Sequence, residues 1–188
     1  MIKEKSMLTA FFDRDGTIAK DYPDEVWTNV MDIKLVPGAI DAMRFLRNKG
    51  YEIVILTNQY IIGEGYITYH QYEMYTQKLL ETLKSKGIEI KDIFFCPHAR
   101  SVNCTCRKPA VGMIENAIQK YPDIDMSRAL MVGDSECDIM LAKNLNIPVF
   151  AISHKNAYEK CITLDTIKDF EKAFCEYFKM NHYKTRSL

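Results

Sequence analysis

Short, almost wholly apolar runs recur along this chain with helical patterns between them, and that alternation restricts the folds open to it. Leu8–Phe12, Tyr51–Thr57, Asp92–Cys96, Ala129–Gly133 and Pro148–Ile152 have the length and the aliphatic and aromatic content of buried strands. Between them, Pro37 opens a helical pattern with Ile40, Met43 and Leu46 on one face, closed by Gly50. Thr68 and Gln71 form a capping-box pattern ahead of Tyr72, Tyr75, Leu79 and Leu83, and Gly87 ends that segment. Pro109 starts a third helix with Met113, Ile114, Ala117 and Ile118 inward; Glu136–Leu145 and Asp165–Met180 supply two more. Strands without a polar face, separated by helices, predict an α/β fold: a doubly wound parallel sheet of about five strands with helices on both faces.

At 188 residues the chain has room for one domain around one sizeable core. With no internal repeat and no low-complexity linker, residues 1–188 read as a single domain. The stretch Ile18–Val36 has no clean period and contains Pro23 and Trp27, and it is long enough to lie over a site as a flap. Asn181–Leu188 reads as a polar tail. The 25 Lys and Arg balance 25 Asp and Glu, which gives no electrostatic basis for nucleic acid or an anionic membrane as partner. No apolar run reaches the roughly 18 residues of a membrane helix, and the run behind Lys3 and Lys5 is too short for a signal peptide. A cytoplasmic monomer is the expectation. The stripe Tyr66, Tyr69, Tyr72, Tyr75 has helical spacing and reads as packing rather than as a base-stacking strip. His70, His154 and His182 have no partners near them in sequence and read as ordinary surface or core residues.

Ligands of an open, Rossmann-like parallel sheet sit at the carboxyl ends of its strands. Four successive strand ends here carry polar groups. The first ends in Asp13-Arg14-Asp15-Gly16-Thr17, where the i, i+2 spacing puts both carboxylates on one face of extended chain. The second ends in Thr57-Asn58-Gln59, the third leads to Arg107-Lys108-Pro109, and the fourth ends in Gly133-Asp134-Ser135 with Asp138 a turn later. Singly these read as a turn, a helix cap, a solvated loop charge and a strand exit; together they read as a site. Asp13, Asp15, Asp134 and, behind them, Asp138 are hard oxygen donors suited to Mg²⁺ that keeps waters and shares a substrate phosphate oxygen. A carboxylate held there can attack phosphorus to form an aspartyl-phosphate. Its neighbour two residues on can give a proton to the leaving oxygen and later take one from water. The Thr57 hydroxyl and the Lys108 ammonium can hold the equatorial oxygens of the transferring group.

Six cysteines in a chain expected in the cytoplasm call for a reason other than disulfides. Cys137, Cys161 and Cys175 are scattered and read as inert thiols. Cys96-Pro-His98, five residues, then Cys104-Thr-Cys106 is different: three thiolates and one imidazole make a closed, structural Zn²⁺ set. The segment holds too little apolar material to order itself, so metal supplies its folding energy. Placed directly before Arg107-Lys108, a zinc-bound loop 96–106 presents both cations to a phosphate.

The four strand-end motifs resemble those of the haloacid dehalogenase superfamily of phosphatases. The Cys/His cluster running into Arg107-Lys108-Pro109 is similar to its zinc-containing group, which includes heptose 1,7-bisphosphate and histidinol-phosphate phosphatases. The resemblance covers about residues 8 to 152 and implies that the fold has no large cap domain. It implies Asp13 as nucleophile, Asp15 as general acid/base, and Mg²⁺ held by Asp13, the Asp15 backbone carbonyl and Asp134. It further implies Thr57 and Lys108 on the phosphoryl group and Asn58, Gln59 and Arg107 on the substrate. The implied substrate is a small phosphorylated metabolite, heptose bisphosphate ahead of histidinol phosphate; a DNA 3′-phosphatase and a non-catalytic zinc-stabilised binding domain are the alternatives of other classes. The sequence departs from the heptose pattern in the five-residue interval between His98 and Cys104, closer to the histidinol type, and in Glu64 and Ser135, where basic residues are usual. Gly65-Tyr66-Ile67-Thr68, and a chain expected to be free-standing, favour heptose.

Overall fold

The computed structural model describes residues 6–185, with side chains through Met180. One sheet holds six parallel strands, β1 (Thr9–Phe12), β2 (Glu52–Asn58), β3 (Asp92–Cys96), β4 (Leu130–Gly133), β5 (Val149–Ile152) and β6 (Cys161–Leu164), in the order β3-β2-β1-β4-β5-β6. Helices α1 (Ala39–Asn48), α2 (Tyr60–Gly63), α3 (Tyr69–Ser85), α4 (Gly112–Lys120), α5 (Glu136–Asn144) and α6 (Phe170–Thr185) connect and cover it. The fold is the expected doubly wound α/β sheet. It has six strands rather than five: β6 is a partly exposed edge strand behind Lys160, with Thr163 at the surface, and lacks the buried apolar run that marks β1, β4 and β5.

The period-2 alternation of strand side chains divides the core in two. Phe12, Ile53 and Ile55 point to one face, where Met43 and Leu46 of α1, Leu79 of α3 and Phe170 of α6 pack on them. Phe11, Val54 and Leu56 point to the other, against Met113 and Ile114 of α4 and Ile139 and Leu141 of α5. Each of these residues is essentially inaccessible to water, worth roughly 1.5–3 kcal/mol per large side chain.

The Thr68 capping box forms as its spacing predicts, with the Gln71 backbone N–H donating to Thr68 Oγ1 at 3.2 Å and the Thr68 N–H donating to Gln71 Oε1 at 2.8 Å. Helix α4 starts at Gly112 rather than at Pro109: Gly112 N–H bonds back to the Thr105 carbonyl at 3.0 Å, which commits residues 107–111 to the loop that positions Lys108. Helix α6 keeps a helical backbone to Thr185, past Met180, so part of the expected tail is helix; residues 186–188 lie outside the described residues. No described helix is long and apolar enough to cross a membrane.

Strands β1 and β4 are neighbours, and the chain leaves them toward opposite sides of the sheet. A crevice opens at their carboxyl ends, where ligands of such sheets bind. The stretch 18–36 folds over this end. Its 3-10 turn, Asp24–Asn29, inserts Trp27 into a cluster with Ile61 and Ile62 of α2 and Tyr72 and Tyr75 of α3. Two members of the tyrosine stripe, Tyr72 and Tyr75, are thus packing residues, while Tyr69 is exposed. His70 and His154 lie at the surface, and the side chain of His182 lies outside the described ones.

Candidate active site

A cleft of about 220 Å³ at the carboxyl ends of β1, β2 and β4 is lined by Asp13, Asp15, Thr57, Asn58, Gln59, Lys108 and Asp134 among others. Asp13 continues β1, its N–H bonding to the Val132 carbonyl of β4 at 2.9 Å. Carboxylate oxygens of Asp13, Asp134 and Asp138 lie within 4.8 Å of one another. Asp138 sits in the first turn of α5, where Ser135 donates to it from Oγ at 2.6 Å and from its backbone N–H at 3.1 Å. The approach of Asp134 to the β1 turn requires glycine at position 16, where φ is +84° and a Cβ would fall 1.9 Å from Asp134 Oδ2.

Lys108 crosses the cleft floor. Its ammonium donates to Asp13 Oδ1 at 2.5 Å, Asp138 Oδ1 at 2.7 Å and the Leu56 carbonyl at 2.8 Å. Burial disfavours the Lys108 charge, but the Asp13 and Asp138 carboxylates outweigh burial and hold it as ammonium. Asp13 is pushed well above the usual carboxylate range by burial, with Lys108 pulling it down and Asp138, Asp15 and Asp134 adding to the rise. Burial and the neighbouring Asp138 push Asp134 up to about 6, against a hydrogen bond from the Thr17 hydroxyl at 3.2 Å. Asp13 and Asp134 resist ionisation while they are crowded against Asp138, and the three carboxylates form a set that a divalent cation would relieve. The residues fit Mg²⁺ by that criterion.

Asp15 projects beside Asp13. Arg14 donates to it from Nε at 2.9 Å and from Nη2 at 2.9 Å, and Gln59 Nε2 donates to Oδ2 at 2.7 Å. Thr57 Oγ1 stands 3.5 Å from the same oxygen and accepts from Gln59 at 2.8 Å. Asn58 closes both ends of its amide on the Lys108 backbone, accepting from its N–H at 2.9 Å and donating to its carbonyl at 3.1 Å.

Cys96, His98, Cys104 and Cys106 converge at the end of β3, their ligand atoms within 4.8 Å of one another. Cys96 Sγ lies 3.5 Å from His98 Nδ1 and 3.6 Å from Cys104 Sγ, and His98 Nδ1 lies 3.2 Å from Cys106 Sγ. Edges of this length suit a tetrahedral shell with bonds of about 2.0–2.3 Å, so the donor set fits zinc. Arg107 faces this loop: its guanidinium donates to the carbonyls of Ala99, Arg100 and Val102 at 2.7, 3.1 and 3.1 Å. It is absent from the cleft lining, so its geometry is that of a loop clamp where the resemblance implied a substrate contact.

The expected residues Asp13, Asp15, Thr57, Asn58, Gln59, Lys108 and Asp134 therefore share one cleft, with Asp138 on its floor. Nothing in the sequence marks Arg100, which locks the mouth. It donates to Glu64 from Nε at 2.9 Å and Nη2 at 2.6 Å, reaches Asp24 of the flap at 3.2 Å, and stacks 4.3 Å over the Tyr60 ring. Partners 36 and 76 residues away leave no local signal. Arg14, too, is invisible as a functional group when its motif is read for carboxylates.

Residues 8–151 match the model of the family described as polynucleotide kinase 3 phosphatase. A Thermoplasma volcanium protein named "Probable D-glycero-D-manno-heptose-1,7-bisphosphate 7-phosphatase" is 36% identical over 79% of this chain and 100% of its own length. D-glycero-alpha-D-manno-heptose-1,7-bisphosphate 7-phosphatase of Photorhabdus laumondii is 38% identical over 78% of this chain and 82% of its own length. A Campylobacter jejuni histidine biosynthesis bifunctional protein is 36% identical over 73% of the chain, which spans 39% of that longer protein. Among solved structures, a D,D-heptose 1,7-bisphosphate phosphatase from B. bronchiseptica, complexed with magnesium and phosphate, shares the fold with a TM-score of 0.79 at 24% identity, over 90% of this chain and 99% of that one. The chain belongs to the polynucleotide kinase 3 phosphatase family, and it is a phosphoric monoester hydrolase of the haloacid dehalogenase type.

Proposed function

We propose that this phosphatase removes the 7-phosphate of D-glycero-D-manno-heptose 1,7-bisphosphate through an aspartyl-phosphate on Asp13. The observation that carries the chemistry is the Asp13 carboxylate held by the Lys108 ammonium beside Asp134 and Asp138, in a cleft at the sheet's switch point. Relatives matched over most or all of their length bear that activity's name, which supports the sugar.

In this reading Asp13 forms a bond to phosphorus while the bond to the sugar oxygen breaks, and protonated Asp15 gives that oxygen its proton. Water then attacks the same phosphorus, Asp15 takes its proton, and the bond to Asp13 breaks to release inorganic phosphate. One water is consumed, and both aspartates return to their starting states. Lys108 and Thr57 face the phosphoryl oxygens, the electrostatic support such transfers depend on. Asp13, Asp134 and the Asp15 carbonyl would hold Mg²⁺, with Asp138 behind them. When bound it neutralises the crowded carboxylates and the phosphate charge. Cys96, His98, Cys104 and Cys106 would hold a closed, structural zinc. The flap 18–36, through Asp21, Asp24 and Trp27, is the substrate-facing part of what we read as one domain, and the loop 96–106 supports it through Arg100.

Histidinol phosphate is the second reading, favoured by the short His98–Cys104 interval and by the Campylobacter relative. A kcat/KM series over heptose 1,7-bisphosphate, histidinol phosphate and a 3′-phosphorylated oligonucleotide, with Mg²⁺, decides between them. The heptose ester should exceed both others by at least about tenfold, the scale of one well-placed contact. A preference for either of the others, or equal low rates on all, would overturn the assignment.

A further inference from the structure

Arg14 lies between the two aspartates of the β1 turn and is 1% exposed. A guanidinium so deeply buried is tolerated only when paired and hydrogen-bonded. Its Nε donates to both Asp15 oxygens, at 2.9 and 3.1 Å, and its Nη2 to Oδ2 at 2.9 Å; Nη1 approaches the Thr76 hydroxyl at 3.5 Å. Three rings box it: the guanidinium carbon lies 5.6 Å from the centre of Trp27, 5.4 Å from Tyr72 and 5.0 Å from Tyr75. The rings come from two elements, the flap and α3, and Trp27 is itself anchored by its indole N–H on the Tyr22 carbonyl at 3.0 Å. Burial opposes the Arg14 charge, and Asp15 with the two tyrosines outweighs it. Arg14 does not line the cleft that holds Asp13, Lys108 and Asp134; it borders a neighbouring cavity of about 250 Å³ together with Trp27, Tyr72 and Tyr75.

We propose that Arg14 is a positioning residue for proton transfer: the aromatic box fixes the guanidinium, and its planar fork fixes the Asp15 carboxyl where it meets the leaving oxygen. Gln59 completes the hold from the other side, donating to Asp15 Oδ2 at 2.7 Å. The planar fork meets Asp15 through two nitrogens held in one plane, a fixed orientation that a lysine ammonium, a point charge on a flexible stem, does not impose. The flap thus reaches the chemistry through Trp27 as well as covering the cleft. This inference rests on Asp15 acting as the proton donor, and it is independent of which sugar is the natural substrate.

The test compares two generic esters in the Mg²⁺-loaded enzyme: p-nitrophenyl phosphate, whose phenolate leaves without a proton, and glycerol 2-phosphate, whose alkoxide needs one. The ratio kcat/KM is the proper readout because it covers only the steps up to phosphoenzyme formation. Asp15→Asn should lose about 100-fold or more on glycerol 2-phosphate, the scale of general acid catalysis, and at least tenfold less on p-nitrophenyl phosphate. Arg14→Met and Arg14→Lys should reproduce that selectivity. Arg14→Lys keeps a cation in the aromatic box and remains decisive if thermal unfolding shows Arg14→Met misfolded. Equal losses on both esters in Arg14→Lys, or wild-type selectivity, alongside a selective Asp15→Asn, would overturn the positioning role alone. Equal losses in Asp15→Asn would overturn the proton-donor reading and this inference with it.

Discussion

Asp13 and Lys108 bind each other in a site from which water is nearly excluded, and this makes the two residues fail differently when replaced. Asp13→Asn keeps the shape but removes the attacking anion, so turnover should fall below about one-thousandth of wild type while the protein stays folded. Steady-state kinetics with circular dichroism checks both halves. Lys108→Met leaves the Asp13 and Asp138 carboxylates buried without their cation, at a cost of about 3–5 kcal/mol. It should lower the midpoint of thermal unfolding as well as kcat, and Mg²⁺ should restore part of the stability by relieving the same carboxylates. Gly16→Ala places a methyl group on the Asp134 carboxylate in a backbone region that disfavours it. The half-saturating Mg²⁺ concentration in the activity assay should rise at least about tenfold. Unchanged Mg²⁺ dependence would mean that Asp134 is not a ligand.

The connecting elements at the cleft mouth are held to one another by a few groups. Arg100 ties the loop 96–106 to the C-terminal cap of α2 through Glu64 and to the flap through Asp24. Arg100→Met should raise KM more than it lowers kcat, because it loosens the walls and leaves the floor intact. The emission of Trp27, the single tryptophan, should shift to the red as the flap loosens. Metal analysis of protein with reduced thiols should find one zinc per chain, and chelation should lower the unfolding temperature; stability indifferent to chelators would remove the structural role. The strands were legible because each is an apolar run bounded by breakers, and the capping box at Thr68 because it is local. Strand β6 was not, since this edge strand is partly exposed and broken by Thr163, and α4 started late because residues 107–111 serve Lys108. Arg107 shows the limit from the other side. Its motif position suggested substrate, and its guanidinium donates to carbonyls five to eight residues back in its own loop, bonds that depend on how that loop turns and not on side-chain pattern.

At the scale of the molecule, the parallel sheet brings four strand ends to one edge, and the switch between β1 and β4 opens the crevice that they line. The carboxylates and Lys108 were legible in sequence because a doubly wound sheet has one place to put such groups. The mouth was not, being made of contacts between segments far apart in the chain. In the proposed reading, specificity belongs to the segments around the mouth and the phosphoryl chemistry to the strand ends of the sheet. The central claim is that the phosphoryl group passes through Asp13. Acid quench during turnover of a phosphate ester with Mg²⁺, followed by borohydride reduction and peptide mass analysis, reads this directly, since reduction converts an aspartyl-phosphate to homoserine. The account predicts homoserine at position 13 in the wild type and none in Asp13→Asn. Product release with no modified residue, or a modification elsewhere in the chain, would contradict it.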